Sequence, residues 1–233
     1  MQVSRRKLVM GGLGTVAAGG VVLGVPSVAE AATYPSLSIG AKGAYVTLLQ
    51  QRLSAATYWL GSVDGSFGPL TQQAVYAIQK AAGLTRDGVV GAATWARVNS
   101  GFRVAYGHSA GNRLEIDKSQ QLIKIIRNGT LAVTLNTSTG SGQRYISSSG
   151  SWATALTPVG DFRVWYTVNG LDHGKLGDLW RPRYFNGAIA VHGSGSIPPY
   201  PASHGCCRVS NAAMDMIWAR NYMPMGSRVY VGN

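Results

Sequence analysis

Cysteine is nearly missing from this chain: 233 residues hold two, Cys206 and Cys207, side by side. A disulfide framework needs partners at a distance, and a bond between neighbours would close a strained ring, so no disulfide is expected. Adjacent thiols also point in different directions, whereas structural zinc is held by spaced ligands, so no metal site is expected either. Charge is scarce at 13%, and the acidic sign is the rarer, with 9 Asp and Glu against 21 Lys and Arg for a net charge of +12. Without the first 31 residues the net charge is +10. A basic protein can meet nucleic acid, but no recognition-helix, RNP or zinc-finger pattern is present. Attraction to an anionic wall or surface is the simpler reading. With 31 Gly and many Ser, Thr and Ala, the composition suits a secreted β-rich protein, with room for one large or two small domains.

Long apolar runs are confined to the N-terminus. Residues 1–32 read as an export signal: Arg5-Arg6-Lys7 precedes a glycine-diluted apolar run from Val9 to Val25, followed by Ala29-Glu30-Ala31. The paired arginines in that frame read as the twin-arginine route, an ordinary secretory signal being the alternative. Dilution of the run and the small-x-small site argue against a retained anchor, so no stable membrane insertion is expected after cleavage.

Residues 36–99 form a small helical module. Val46, Leu48, Leu49 and Leu53 recur at helical spacing, and Asp64-Gly65 to Thr71 is repeated 23 residues later as Asp87-Gly88 to Thr94. Each Asp-Gly predicts a turn and each Thr a helix cap. Ala74, Val75, Ile78 and Trp95 supply apolar faces, and Gln72, Gln73 and Gln79 the polar ones. Trp59, Phe67 and Trp95 are either sugar platforms or core. A linker at 100–111, with a strand at Phe102–Tyr106, leads into a second domain at 112–233. There the period changes to two: Leu114–Asp117, Gln121–Ile126, the turn Asn128-Gly129, then Leu131–Leu135, with further strands at Phe162–Tyr166, Ala188–Val191 and Arg228–Val231. Ser210 predicts an N-cap for a helix carrying Met214, Ile217 and Trp218 on one face. Thr137–Ala155 reads as a polar surface loop, either a lid or a plain excursion. His108 and His173 read as surface residues.

Chemistry concentrates in Val191–Ile197 and Ser203–Val209. Cys206 is the candidate nucleophile, since a thiolate beside an imidazole is a working nucleophile, and Cys207 suits a buried apolar role. Both His192 and His204 are candidates to take the thiol proton; positions 204 and 206 share a side if the chain is extended there. Arg208 would share that side and hold a substrate carboxylate, or else form an ion pair. Gly205 and Cys206 are the natural N–H donors to an oxyanion, and Gly193 and Gly205 allow close backbone approach. Tyr184, Asn186 and Ser203 are candidate cleft residues. Arg181 and Arg183 would help an acidic peptide dock, or are solvated charges.

These residues carry a family resemblance. His192 followed by Ser203-His204-Gly205-Cys206-x-Arg208 resembles the signature of the L,D-transpeptidase (YkuD) catalytic domain. Thr157-Pro158-Val159-Gly160-Asp161-Phe162 and Tyr184–Ala190 agree, over residues 112 to 231. The repeat module resembles peptidoglycan-binding domain 1. The resemblance implies a mainly β catalytic domain, a β-sandwich or partly closed barrel, behind a small three-helix α domain, working outside the cytoplasm. It implies that the Cys206 thiolate attacks the third residue of a peptidoglycan stem and releases D-alanine. The thioester then passes to a neighbouring stem's side-chain amine as a 3-3 cross-link, with no cofactor. It assigns general acid–base work to His192, steadied by a backbone carbonyl at Gly193, and leaves His204 to orient groups or touch substrate. Where the family has an aliphatic residue, this chain has Cys207. The partners implied are stem peptides and glycan; oligomeric state is not legible. An L,D-carboxypeptidase using the same thioester and a non-catalytic wall-binding protein are the alternatives. Papain-like and NlpC peptidases place Cys before His, and a zinc D,D-peptidase needs spaced ligands that are not found here.

Overall fold

The structure is a computed structural model and describes residues 34–107 and 110–233. The export-signal segment 1–32 and His108 lie outside the described residues. Tyr34–Asn233 forms one compact unit.

Three helices come first: α1 (Ala44–Ala55), α2 (Pro69–Ala81) and α3 (Ala92–Asn99). Val46, Leu49 and Leu53 of α1 meet Ala74, Val75 and Ile78 of α2 and Trp95 of α3 in one core. The repeat has a cause that the sequence reading missed. Gln50 Nε2 donates to Asp64 Oδ1 at 2.8 Å, Ser66 O at 3.1 Å and Thr71 Oγ1 at 3.0 Å, while its Oε1 accepts the Gly65 N–H at 2.9 Å. Gln79 does the same one repeat later, with Asp87 at 2.7 Å, Val89 O at 2.9 Å, Thr94 at 3.2 Å and the Gly88 N–H at 3.0 Å. Thr71 and Thr94 therefore lie inside their helices as partners of a buried glutamine. The N-caps are Gly68 and Gly91, and neither makes a side-chain cap bond. Gln79 is core, not polar surface, and so are Phe67 and Trp95.

Residues 102–107 form no strand, although Val104 is buried. Then follow β1 (Arg113–Asp117), β2 (Leu122–Arg127), β3 (Thr130–Asn136), β4 (Arg144–Ile146), β5 (Trp152–Thr154), β6 (Gly160–Arg163), β7 (Tyr166–Thr167), β8 (Leu171–Gly174), β9 (Gly177–Asn186), β10 (Ile189–Ser194), β11 (Cys207–Ser210), α4 (Asn211–Ala219) and β12 (Arg228–Gly232). One sheet runs β3-β2-β1-β12-β6; a second runs β11-β10-β9-β7 with β8 also on β9; β4 and β5 form a hairpin of their own. The predicted turn at Asn128-Gly129 joins β2 and β3, both residues having positive φ. The inner faces of the two large sheets and α4 share a core that includes Ile123, Val133, Val191, Val209, Met214 and Ile217. Ser210 caps α4, its Oγ accepting the Ala213 N–H. This is a mainly β domain with a three-helix module on one side; the fourth helix belongs to the β domain.

The module is packed against the β domain. Trp59 N–H donates to Thr134 O at 3.1 Å and Thr134 N–H to Thr57 O at 2.8 Å, so the chain after α1 extends the edge at β3. Leu122 and Leu131 turn outward into the helical core, and burying each contributes about 2 kcal/mol. That second covered face explains why β2 is apolar almost throughout. Buried Lys80 of α2 donates to Gln121 O and Thr137 O, each at 3.0 Å, and to Asn136 Oδ1. The first part of the expected polar loop is therefore not surface: Thr137, Ser138 and Thr139 are buried, because their hydroxyls and backbone find partners in β11 and the loop before it. Among the described residues no helix is long and apolar enough to cross a membrane.

Candidate active site

β10 and β11 run parallel with His192 opposite Arg208 and Val191 opposite Cys207. Side chains alternate across a strand, so one pair faces the cleft and the other the core. Val191 and Cys207 are fully buried among apolar side chains, while His192, Cys206 and Arg208 line a cleft of about 280 Å³. Burial pushes the Cys207 thiol far above its ordinary pKa. Cys207 is a core residue.

His192 is almost fully enclosed. Its Nδ1 lies 2.9 Å from Gly193 O. A carbonyl only accepts, so Nδ1 carries the hydrogen and Nε2 keeps its lone pair. Burial pulls the His192 pKa down to about 4, against the opposing pull of the Gly193 contact. The ring is a neutral base at pH 7. Gly193 is compact for a reason: a Cβ there would sit 2.7 Å from Asn211 Oδ1 and 2.8 Å from Trp180 Cδ1.

Half-buried Cys206 donates its thiol hydrogen to Ala188 O at 3.6 Å and accepts the Ala190 N–H at 3.4 Å. Burial raises its pKa, with the Ala190 N–H and the Arg208 charge pulling the other way. Cysteine and histidine thus rest as thiol and imidazole, not as an ion pair. The backbone around the thiol is tied down. Ser203 Oγ donates to Cys206 O at 2.5 Å and accepts the Gly205 N–H at 3.0 Å; Thr157 Oγ1 donates to Gly205 O at 2.6 Å and accepts the Gly140 N–H at 2.9 Å. Gly205 holds φ +141°, with Leu156 O 2.8 Å from where a Cβ would be. The Gly205 N–H is spent on Ser203, so of the two expected oxyanion donors only the Cys206 N–H is without a partner among the described residues.

His204 does not stand over the thiol in an extended chain, because residues 204–206 bend. Its exposed ring packs on Tyr145 of β4, centroids 4.6 Å apart, at the lip between the cleft and a side cavity lined by Arg144, Tyr145 and Tyr200. Arg208 has no ion-pair partner among the described residues, so its guanidinium is available to a ligand. Tyr184 lines the cleft and donates to Asp172 Oδ2 at 2.7 Å; burial and that carboxylate raise its pKa strongly. Asn186, at the end of β9 opposite Ile189, does not line the cleft. Arg181 and Arg183 do not line the cleft. Arg181 pairs with Asp215 at 2.8 Å, and Arg183 is buried over the Trp218 ring, where it donates to Met223 O. Exposed His173 pairs with Asp178 at 2.9 Å. The β8–β9 hairpin supplies a wall of the cleft through Lys175, Leu176 and Leu179. Sequence reasoning missed that wall, Asp172, and Thr157 as a holder of the Cys206 loop; only the Thr157-Pro158 pair carried any local signal. No three His, Cys, Asp or Glu side chains gather as a metal cluster among the described residues.

Fold and cleft define a class: a mainly β domain presenting an imidazole and a guanidinium on two parallel strands, with a thiol just before the second, in one cleft. The family follows from comparison. Residues 111–231 match the model of the L,D-transpeptidase catalytic domain (YkuD), and residues 42–98 match that of a peptidoglycan binding domain. The crystal structure of an L,D-transpeptidase from Xylanimonas cellulosilytica is 46% identical, with a TM-score of 0.81, covering 88% of this chain and 100% of that one. The chain belongs to the YkuD L,D-transpeptidase family. Two curated proteins match shorter stretches: an uncharacterised protein of Kitasatospora aureofaciens, 42% identical over 66 residues, and the N-acetylmuramoyl-L-alanine amidase CwlL of Bacillus licheniformis, 48% identical over 60 residues. These alignments cover 28% and 25% of this chain but only 56% and 17% of the relatives' lengths.

Proposed function

We infer that the protein is a cysteine-dependent L,D-transpeptidase that acylates Cys206 with a peptidoglycan tetrapeptide stem, releases the terminal D-alanine and builds 3-3 cross-links. The observation that supports this is the sharing of one open cleft by Cys206, the free Nε2 of His192 and the unpaired Arg208. Arg208 takes the stem's terminal carboxylate bidentately. Because thiol and imidazole rest neutral, the thiol proton moves to His192 Nε2 as sulfur attacks the carbonyl, not before. The Cys206 N–H faces the developing oxyanion. His192 returns the proton to the leaving amine nitrogen of D-alanine. The incoming amine of a second stem then loses its proton to His192, displaces sulfur and restores the thiol. Water in place of that amine gives the L,D-carboxypeptidase outcome. Residues 36–99 hold the wall, 112–233 carry the chemistry, and the protein acts outside the cytoplasm after export by the twin-arginine route.

Intact-mass spectrometry after incubation with a carbapenem tests this, since the family resemblance implies acylation of the catalytic thiol. One adduct on wild type and Cys207→Ser, and none on Cys206→Ser, is expected. No adduct on any form overturns the reading.

A further inference from the structure

A second concavity of about 390 Å³ opens beside the cleft and shares Tyr184 and Ala188 with it. Its floor is a run of three rings. Trp165 and Tyr166 lie 5.6 Å apart, Tyr166 stacks on Tyr184 at 5.8 Å, and Trp165 and Tyr184 are 6.4 Å apart. Trp165 is 54% exposed and Tyr166 49%, an unusual cost for large apolar side chains with no core to join. The rings are held in place: Trp165 Nε1 donates to Gly187 O at 3.2 Å, and Tyr184 OH donates to Asp172 Oδ2 at 2.7 Å. Asp172 is the one charged residue of the lining and makes no ion pair among the described residues.

We propose that Trp165, Tyr166, Tyr184 and Asp172 form a glycan subsite that seats a neutral amino-sugar of the wall strand next to the reacting stem. This deepens the transpeptidase reading and rests on it. Ring faces carry partial negative charge and attract the C–H face of a pyranose, while the spare Asp172 oxygen accepts from a sugar hydroxyl or amide. In a chain of net charge +12, an acidic wall disfavours an anionic polymer and suits an uncharged saccharide. Continuity with the cleft through Tyr184 and Ala188 puts this sugar where the stem must leave the strand. The helical module offers no such platform at Phe67 or Trp95, both buried in its core.

The test is a titration of the full chain with soluble β-1,4-linked N-acetylglucosamine oligomers, read by isothermal calorimetry. Wild type is expected to bind saturably. Tyr166→Ala and Trp165→Ala should weaken binding about tenfold or more, a change of about 1.4 kcal/mol. The Tyr166 side chain makes no hydrogen bond among the described residues and its backbone pairs with β9, so Tyr166→Ala removes a ring face without loosening the Gly187 turn. Equal binding by wild type and both variants, or no binding by wild type, overturns the proposal. Carbapenem acylation of the wild-type chain is measured alongside as the separate readout of the thiol. Saccharide binding without acylation would sink the transpeptidase reading alone, and acylation without saccharide binding the subsite alone.

Discussion

Lys80→Met asks whether the helical module is part of the catalytic unit or a passenger. The ammonium is buried and meets three oxygen acceptors: Gln121 O, Thr137 O and Asn136 Oδ1. Burial pulls its pKa down to about 6, with Arg86 adding to the effect, while three acceptors favour the charged, three-donor form. Methionine keeps the stem but strands Thr137 O and Asn136 Oδ1, at about 1 kcal/mol each at the low end, while Gln121 O still accepts the Thr137 N–H at 3.1 Å. Relief of the buried amine returns about 1 kcal/mol, leaving a net loss of about 1 kcal/mol. For a folded unit of this size that lowers Tm by roughly 2–4 °C. Asn136 also donates to Gln73 Oε1 at 2.5 Å and Ile197 O at 3.3 Å, so the loop between His192 and Cys206 should loosen as well. Circular-dichroism melts of the full chain read the first effect and limited proteolysis between 195 and 203 the second. An unchanged or raised Tm would refute the reasoning, because the buried contact would then contribute nothing to holding helices and sheet together.

Three further outcomes are expected. Folding lowers the His192 pKa from 6.5 to about 4, so its stabilising contribution is complete above pH 6.5 and is lost as pH falls toward 4. Urea midpoints at pH 7.5 and 4.5 should show this as a loss of about 3 kcal/mol in wild type that is absent in His192→Gln. Gly205→Ala places a methyl 2.8 Å from Leu156 O at φ +141°; carbapenem acylation should slow at least tenfold, and Tm should fall, by about 2–3 kcal/mol of strain. Gln79→Glu replaces the amide that donates to Asp87, Val89 O and Thr94 with a carboxylate facing another carboxylate. It should cost about 3 kcal/mol in urea unfolding at pH 7, and part of that should return below pH 4 as the acids protonate.

Local signals carried much of the fold. Alternating apolar residues around Asn128-Gly129 specify the β2–β3 hairpin, Ser210 specifies the start of α4, and the Asp-Gly repeat specifies two left-handed turns at Gly65 and Gly88. One group of corrections shares an origin: a polar residue reads as solvated when its partner lies elsewhere in the fold. Gln79, Thr137 and Ser138 are core because tertiary structure supplies their hydrogen-bond partners, and Arg183 is buried because Trp218 and Met223 meet it. A sequence shows hydrogen-bonding capacity, not who answers it.

The same division runs through the candidate site. Residue types and spacing alone determined that thiol, imidazoles, guanidinium and glycines meet in one segment, since 204, 206 and 208 are close whatever the fold. Only the tertiary structure decided their state. The β10–β11 register sends Cys207 to the core and Arg208 to the cleft, burial keeps His192 neutral, and Ser203 withdraws the Gly205 N–H. It also decided the neighbours, bringing the β8–β9 wall and the Trp165 platform to the cleft. Proximity along a chain is covalent and readable; desolvation and hydrogen-bond allocation depend on every group packed around the site.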